Sequence, residues 1–278
     1  MILFFIFIFG LAVGSLLNVC IHRMPKGESI IAPRSHCPRC GKIIAAWDNI
    51  PIISYLLLQG RCRSCQQLIS VFYPLVEILA GSLLLVTYQQ FCFTLEFAKF
   101  SIFGMLLLIL IFTDLQNRII PHAITIFGLL VGIISSWFVP VDWVVIVWEL
   151  DWLVGFLNIR RGESFLAAVS GMVLGGGSFY LIGKAFYLLN GKRKEYLGFG
   201  DVMLMAMIGS FLGVQLTLLT IFLGSLLGTL IGIPLEYSTQ RFQRHRWPFG
   251  AFLGLAALFS SLEGGTAIEW YIKFSGLR

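Results

Sequence analysis

Two aspartates and four cysteines carry most of the chemistry that the residue types of this chain can offer. Asp201 closes the stretch Gly198-Phe199-Gly200-Asp201 and heads the apolar run Val202 to Val214, while Asp114 ends another apolar run, Phe100 to Thr113, with a break behind it at Pro121. Acids inside apolar runs are costly and therefore functional by default. Two carboxylates held close cannot both be ionised at neutral pH, so one keeps a proton and acts as general acid while the other activates a water against a peptide carbonyl. That is aspartic-peptidase chemistry, with Asp114 and Asp201 as the candidate catalytic pair. Gly198 and Gly200 permit backbone conformations closed to other residues, so a substrate strand could lie against them, and Asp201 would begin the helix that follows. Each aspartate also has a plainer reading: a first-turn acid without chemistry for Asp201, and a polar residue at the end of a span for Asp114.

Cys37-Pro38-Arg39-Cys40 and Cys62-Arg63-Ser64-Cys65 form two Cys-x-x-Cys knuckles. Each short turn can offer two thiolates, and the four together match a tetrahedral structural zinc site, with Cys37, Cys40, Cys62 and Cys65 as ligands. A segment this small can hardly build a core unaided, and a metal would supply the missing stability. Disulfides are the alternative, disfavoured if the segment faces a reducing compartment. His36 is a conceivable substitute ligand, while Cys20 and Cys92 read as small apolar fillers at span ends.

These groups must be positioned by membrane helices. The chain has 278 residues, 58% of them hydrophobic and 12% charged, with a net charge of +6. Soluble domains carry roughly a quarter charged residues. Runs of about 20 apolar residues recur along nearly the whole length, and lipid permits only helices or closed barrels. The alternating segments of a barrel are missing, so the expected class is an all-α polytopic membrane protein. Eight spans are expected, at about 2–20, 72–91, 97–113, 119–139, 163–189, 200–213, 214–235 and 248–263. The domains read as a first span over 1–21, a small zinc-binding module over 22–71 and a transmembrane peptidase domain over 72–278. The first span lacks a basic n-region and a cleavage pattern, and is read as retained. Segment 141–159, interrupted by Asp142, Glu149 and Asp151 and rich in Trp (Trp143, Trp148, Trp152), reads as an interfacial loop.

Loop 22–71 carries Arg23, Lys26, Arg34, Arg39, Lys42, Arg61 and Arg63, and most other Lys and Arg fall in loops of the same parity. The positive-inside rule places that loop in the cytoplasm and both termini outside. Asp114 and Asp201 then share the cytoplasmic face. The basic charge is explained by sidedness, so nucleic acid is not expected as a partner. Glycines at four-residue spacing (Gly171 and Gly175; Gly224, Gly228 and Gly232; Gly250 and Gly254) fit close helix packing. Glu77 lies one turn into the second span, and Glu236 reads as interfacial.

Several stretches together resemble the type IV prepilin peptidase family, the bacterial bifunctional leader peptidases and N-methyltransferases. They run from Gly14-Ser15-Leu16-Leu17-Asn18-Val19 and Ile21-His22-Arg23, through the cysteine knuckles, Trp47-Asp48-Asn49-Ile50-Pro51, Ser54-Tyr55 and Tyr73-Pro74-Leu75-Val76-Glu77. They continue to Thr113-Asp114, Ile119-Ile120-Pro121, Gly198-Phe199-Gly200-Asp201 and Pro248-Phe249-Gly250. The resemblance implies that Asp114 and Asp201 are catalytic, that the four cysteines bind zinc and that the protein sits in the bacterial inner membrane. The implied substrate is a type IV prepilin or type II secretion pseudopilin, cut at the cytoplasmic face just after a glycine. The new N-terminus, usually Phe, is then methylated with S-adenosylmethionine. Asn18, Asp48 and Glu77 are the polar candidates for that cofactor's site. His122 and Met203 stand where the family commonly has Asp or Asn, and Lys. Two other classes compete: a proton- or ion-coupled transporter with a zinc-stabilised cap, and a non-catalytic assembly protein. No inverted repeat supports the transporter.

Overall fold

The computed structural model describes residues 1–139, 141, 160–189, 198–232, 234 and 248–275, with side chains of 160–162 excepted. Apart from Val141, the segment 141–159 expected as a Trp-rich loop, the basic loop residues Lys192, Arg193, Lys194, Arg241, Arg244 and Arg246, and Glu236 lie outside these residues. The described chain is almost wholly helical: α1 (Ile2–Arg23), α2 (Ile53–Leu57), α3 (Phe72–Phe91), α4 (Leu95–Asn117), α5 (His122–Ser135), α6 (Arg160–Leu189), α7 (Phe199–Leu227) and α8 (Phe249–Phe274). Among the described residues the only extended pairings are two isolated bridges, His36 with Ile43 and Arg61 with Leu68. Six helical segments are long and apolar enough to cross a membrane, and α5 is a shorter apolar helix.

The chain divides into two units, Met1–Phe97 and Ala98–Arg278. In the first, α1 and α3 pack antiparallel with their backbones in contact. A side chain at Gly10 would meet the Gly81 backbone, and one at Gly14 would meet Cα of Glu77 at 2.6 Å. Asn18 continues the same register by donating to the Tyr73 carbonyl at 2.9 Å.

In the second unit the long element α7 is not one rod. Gly213 (φ 72, ψ −175) breaks it, in a conformation that side chains disfavour. A side chain at Gly175 would meet both the Met205 backbone and, at 3.2 Å, Thr217. Along one straight helix those two residues would stand about 18 Å apart. The halves before and after Gly213 therefore fold back as a hairpin against α6, and they correspond to the separately expected spans 200–213 and 214–235. The other contacts obey the same alternation. Gly128 and Gly132 of α5 face Met207 and Phe211 in parallel, whereas Gly250 and Gly254 of α8 face Asp114 and Ile111 of α4 in antiparallel order.

The tightest seam joins α6 to the first half of α7. A side chain at Gly209 would run into the Gly171 carbonyl and approach the Met172 nitrogen at 2.8 Å. Phe103 and Phe211, both buried, stack in the adjoining core with centroids 4.4 Å apart. Gly209→Val is therefore expected to destabilise the protein by about 3 kcal/mol or more, at the upper end for overpacking. Thermal unfolding in detergent, with Gly177→Ala as the control at a position with open space, measures it.

Candidate active site and metal centre

Asp114 lies in the last turn of α4, buried, and reaches the start of α8. Its Oδ2 accepts the Ala251 amide at 2.8 Å, and the Gly250 amide also turns to it. The first amides of a helix have no partner within the helix, and Pro248, the residue before α8, makes no side-chain cap. Asp114 therefore caps α8 from another helix, and a carboxylate suits the positive end of its dipole. Arg118, one turn on, adds a positive charge nearby.

Asp201 occupies the third position of α7, half-buried, with its amide on the Gly198 carbonyl at 3.0 Å. Its carboxylate folds back toward Gly198. Ile120, in the link between α4 and α5, joins the two aspartates' surroundings: side chains at Gly200 and Gly250 would meet it at 3.0 and 2.8 Å, and Gly250 also abuts Asp114. The two carboxylates thus stand at one end of the second unit, each at a helix start. The expected reason for the glycines needs correction. Gly198 has φ −72 and ψ 144, open to any residue, and Gly200 is helical without a positive φ. What Gly200 supplies is room for Ile120. His122 packs its ring 5.7 Å from that of Phe199, beside the Gly-Phe-Gly-Asp stretch.

The four cysteines converge as the spacing requires. Cys37, Cys40, Cys62 and Cys65 have all their Sγ atoms within 4.8 Å of one another, with Cys37 and Cys65 3.9 Å apart. Sulfurs about 2.3 Å from one tetrahedral ion would be separated by ~3.8 Å, so the group can hold a metal ion. The knuckles repeat one another. The Cys37 and Cys62 amides donate to Lys42 and Gln67 at 2.9 Å, and the left-handed residue is Gly41 in one and Gln66 in the other. Amides of Cys65 and Ser64 point at the Cys62 sulfur and hold its pKa at about 7. The Gln67 amide acts on Cys65 in the same sense, but desolvation and the neighbouring thiols outweigh it and push that thiol up to about 11. His36 is exposed, turned to the Arg34 carbonyl and outside the cluster.

The three polar candidates for a cofactor are all engaged within the first unit. Asn18 holds the Tyr73 carbonyl. Glu77 Oε2 accepts the Ile52 amide at 2.8 Å, with the Ser15 hydroxyl at the same carboxylate. Ile52 has φ 60 and ψ −51, and the Ile53 amide reaches back to the Pro51 carbonyl at 2.6 Å. That is a γ-turn, a conformation that persists only where the surroundings impose it. Asp48 pairs with Arg63 through three contacts of 2.7 to 3.1 Å, which hold its carboxyl below the usual range and raise the guanidinium. Each of the three therefore has a structural partner in the first unit.

Comparison with known proteins bears on this arrangement. Residues 8–91 match the model of the Bacterial Peptidase A24 N-terminal domain, and residues 101–233 that of the Type IV leader peptidase family. A prepilin leader peptidase/N-methyltransferase of Aeromonas salmonicida is 31% identical over 96% of this chain and 93% of its own length. The chain belongs to the prepilin leader peptidase/N-methyltransferase family. Among other relatives of that name, the one from Bacillus subtilis is 31% identical over 97% of this chain and 98% of its own. That from Myxococcus xanthus is 38% identical over 85% of this chain, which spans 64% of its length. No solved structure matches. Membership in this family, with the apolar helices, makes the protein a multi-pass inner-membrane protein. It gives the transporter reading no support.

Proposed function

We propose that this protein hydrolyses the leader of a type IV prepilin or type II secretion pseudopilin after its glycine, at the cytoplasmic face, and then methylates the new N-terminus. The observation that carries the reading is the placement of Asp114 and Asp201 at one end of the second unit, around Ile120, each at a helix start. One carboxyl, holding a proton, donates to the departing amine, while the other takes a proton from the water that attacks the glycine carbonyl. The products are a leader ending in carboxylate and a free amine.

The metal of the cysteine cluster is zinc in this reading, held as a closed structural site by Cys37, Cys40, Cys62 and Cys65. S-adenosylmethionine supplies the methyl group, and the relatives named as methyltransferases support that step. The test is incubation of purified protein with a peptide comprising a basic leader, Gly, Phe and an apolar helix, with and without labelled S-adenosylmethionine. Cleavage between Gly and Phe, followed by label on the Phe amine, is expected. An intact peptide overturns the peptidase assignment.

A further inference from the structure

The cysteine module lies between two spans in the sequence, and one of its hydrogen bonds ties it to the second of them, α3. The α1–α3 register pairs Gly10 with Gly81, Gly14 with Glu77 and Asn18 with Tyr73. Ser15 is thereby level with Val76, four residues or about 6 Å inside the start of α3. The Glu77 carboxylate at Ser15 takes the Ile52 amide, so the γ-turn of the module sits below the point where α3 begins. That helix has 20 residues, about the 30 Å that the hydrocarbon core requires, so a bilayer matched to its length would begin near its first turn.

The residues around this turn are apolar and uncovered: Ile50, Ile53, Leu56 and Leu57 are 45%, 54%, 67% and 78% exposed, and Trp47 beside them is 70% exposed. On α3, the membrane span that holds the turn, Leu75 and Ile78 are likewise uncovered, 39% and 42% exposed. Exposed basic residues, Lys42 and Arg61 among them, flank the stretch. An apolar face some 5–10 Å deep with a basic rim is the pattern of a segment lying in the bilayer interface. Anionic headgroups would favour such a rim.

We propose that residues 50–57 are an interfacial wedge, with Ile53, Leu56 and Leu57 in the acyl-chain boundary and Glu77 setting their depth. The metal module is then held against the membrane surface and does not float free of it. The test places a photoreactive leucine analogue at position 57, and separately at position 42, in the full-length metal-loaded protein in phosphatidylethanolamine–phosphatidylglycerol vesicles. Lipid adducts at 57 exceeding those at 42 by at least about tenfold are expected for a side chain at acyl depth. In Glu77→Ala the adduct at 57 falls while the metal content holds. Adducts at 57 formed with water alone overturn the proposal, as do adducts with residues 98–278 of the same chain or with an added pilin-like peptide.

Discussion

Asp114→Asn is expected to lower the rate of leader cleavage by roughly 10²–10⁴-fold, the usual contribution of a positioned acid–base group, without unfolding the protein. Asparagine keeps an oxygen for the Ala251 amide, so the cap on α8 survives. The carboxyl's capacity to exchange a proton is lost. Asp114→Ala removes both, and its midpoint should fall by the cost of a lost cap, about 1 kcal/mol. Comparing the two variants separates the structural role of Asp114 from its chemical one. Asp201→Asn should match Asp114→Asn in rate, and the double variant should be little slower than either, because residues acting as a unit are not additive. Initial rates and unfolding midpoints on the same preparations measure this. A double variant slower by the product of the single effects would mean two independent sites.

Removing the metal should have the other large effect, confined to the first unit. Few side chains of the module are buried, with Cys37 and Ser54 among them. Its fold then rests on the cluster, and structural zinc in small modules contributes about 10–16 kcal/mol that is inseparable from folding. Chelation, or Cys40→Ser, is therefore expected to open the 35–69 segment to proteolysis and rapid amide exchange while α4 to α8 keep their protection. The pH dependence has a definite sign. Binding requires thiolates, and Cys65, pushed up to about 11, holds its proton at neutral pH in the metal-free protein. Loading releases protons, and affinity falls as the pH is lowered, through about 7 for Cys62 in particular. Metal content against pH at fixed chelator measures it. A module that stays protected after complete metal removal would refute the structural role.

Local features of the sequence foretold local structure well. The Cys-x-x-Cys spacing produced two like knuckles, because a four-residue turn leaves few ways to aim two thiols. The Gly-Phe-Gly-Asp stretch starts a helix as expected, and the apolar runs on either side of Gly213 are the two arms of a hairpin. Ends of helices were less legible. The third span reads as ending before Asp114, yet α4 continues to Asn117, and α8 runs past Glu263 to Phe274. Polar residues mark where the apolar surface ends, whereas the backbone ladder continues until a donor or acceptor replaces it.

The least legible features were contacts between distant residues. Nothing near Asp114 announces that it caps a helix 137 positions away. Ile120, read only as part of a motif, fills the space that Gly200 and Gly250 leave. Glu77, read as a polar candidate one turn into a span, takes the Ser15 hydroxyl of α1 and also holds the strained turn at Ile52, a partner 25 positions away. Such partners are set by which helix lies beside which, and hydrophobic pattern alone does not encode that choice.

Hydrolysis by Asp114 and Asp201 is tested most directly by the mass of the product. A prepilin-like substrate with a basic leader, Gly and Phe is incubated in water enriched in oxygen-18 with the wild-type protein and with the Asp114→Asn/Asp201→Asn variant. With the wild type, the released leader should end at Gly and carry one heavy oxygen in its new carboxylate, and the variant should leave the substrate whole. Uncut substrate with the wild type, or labelled leader in normal yield from the variant, would contradict the assignment.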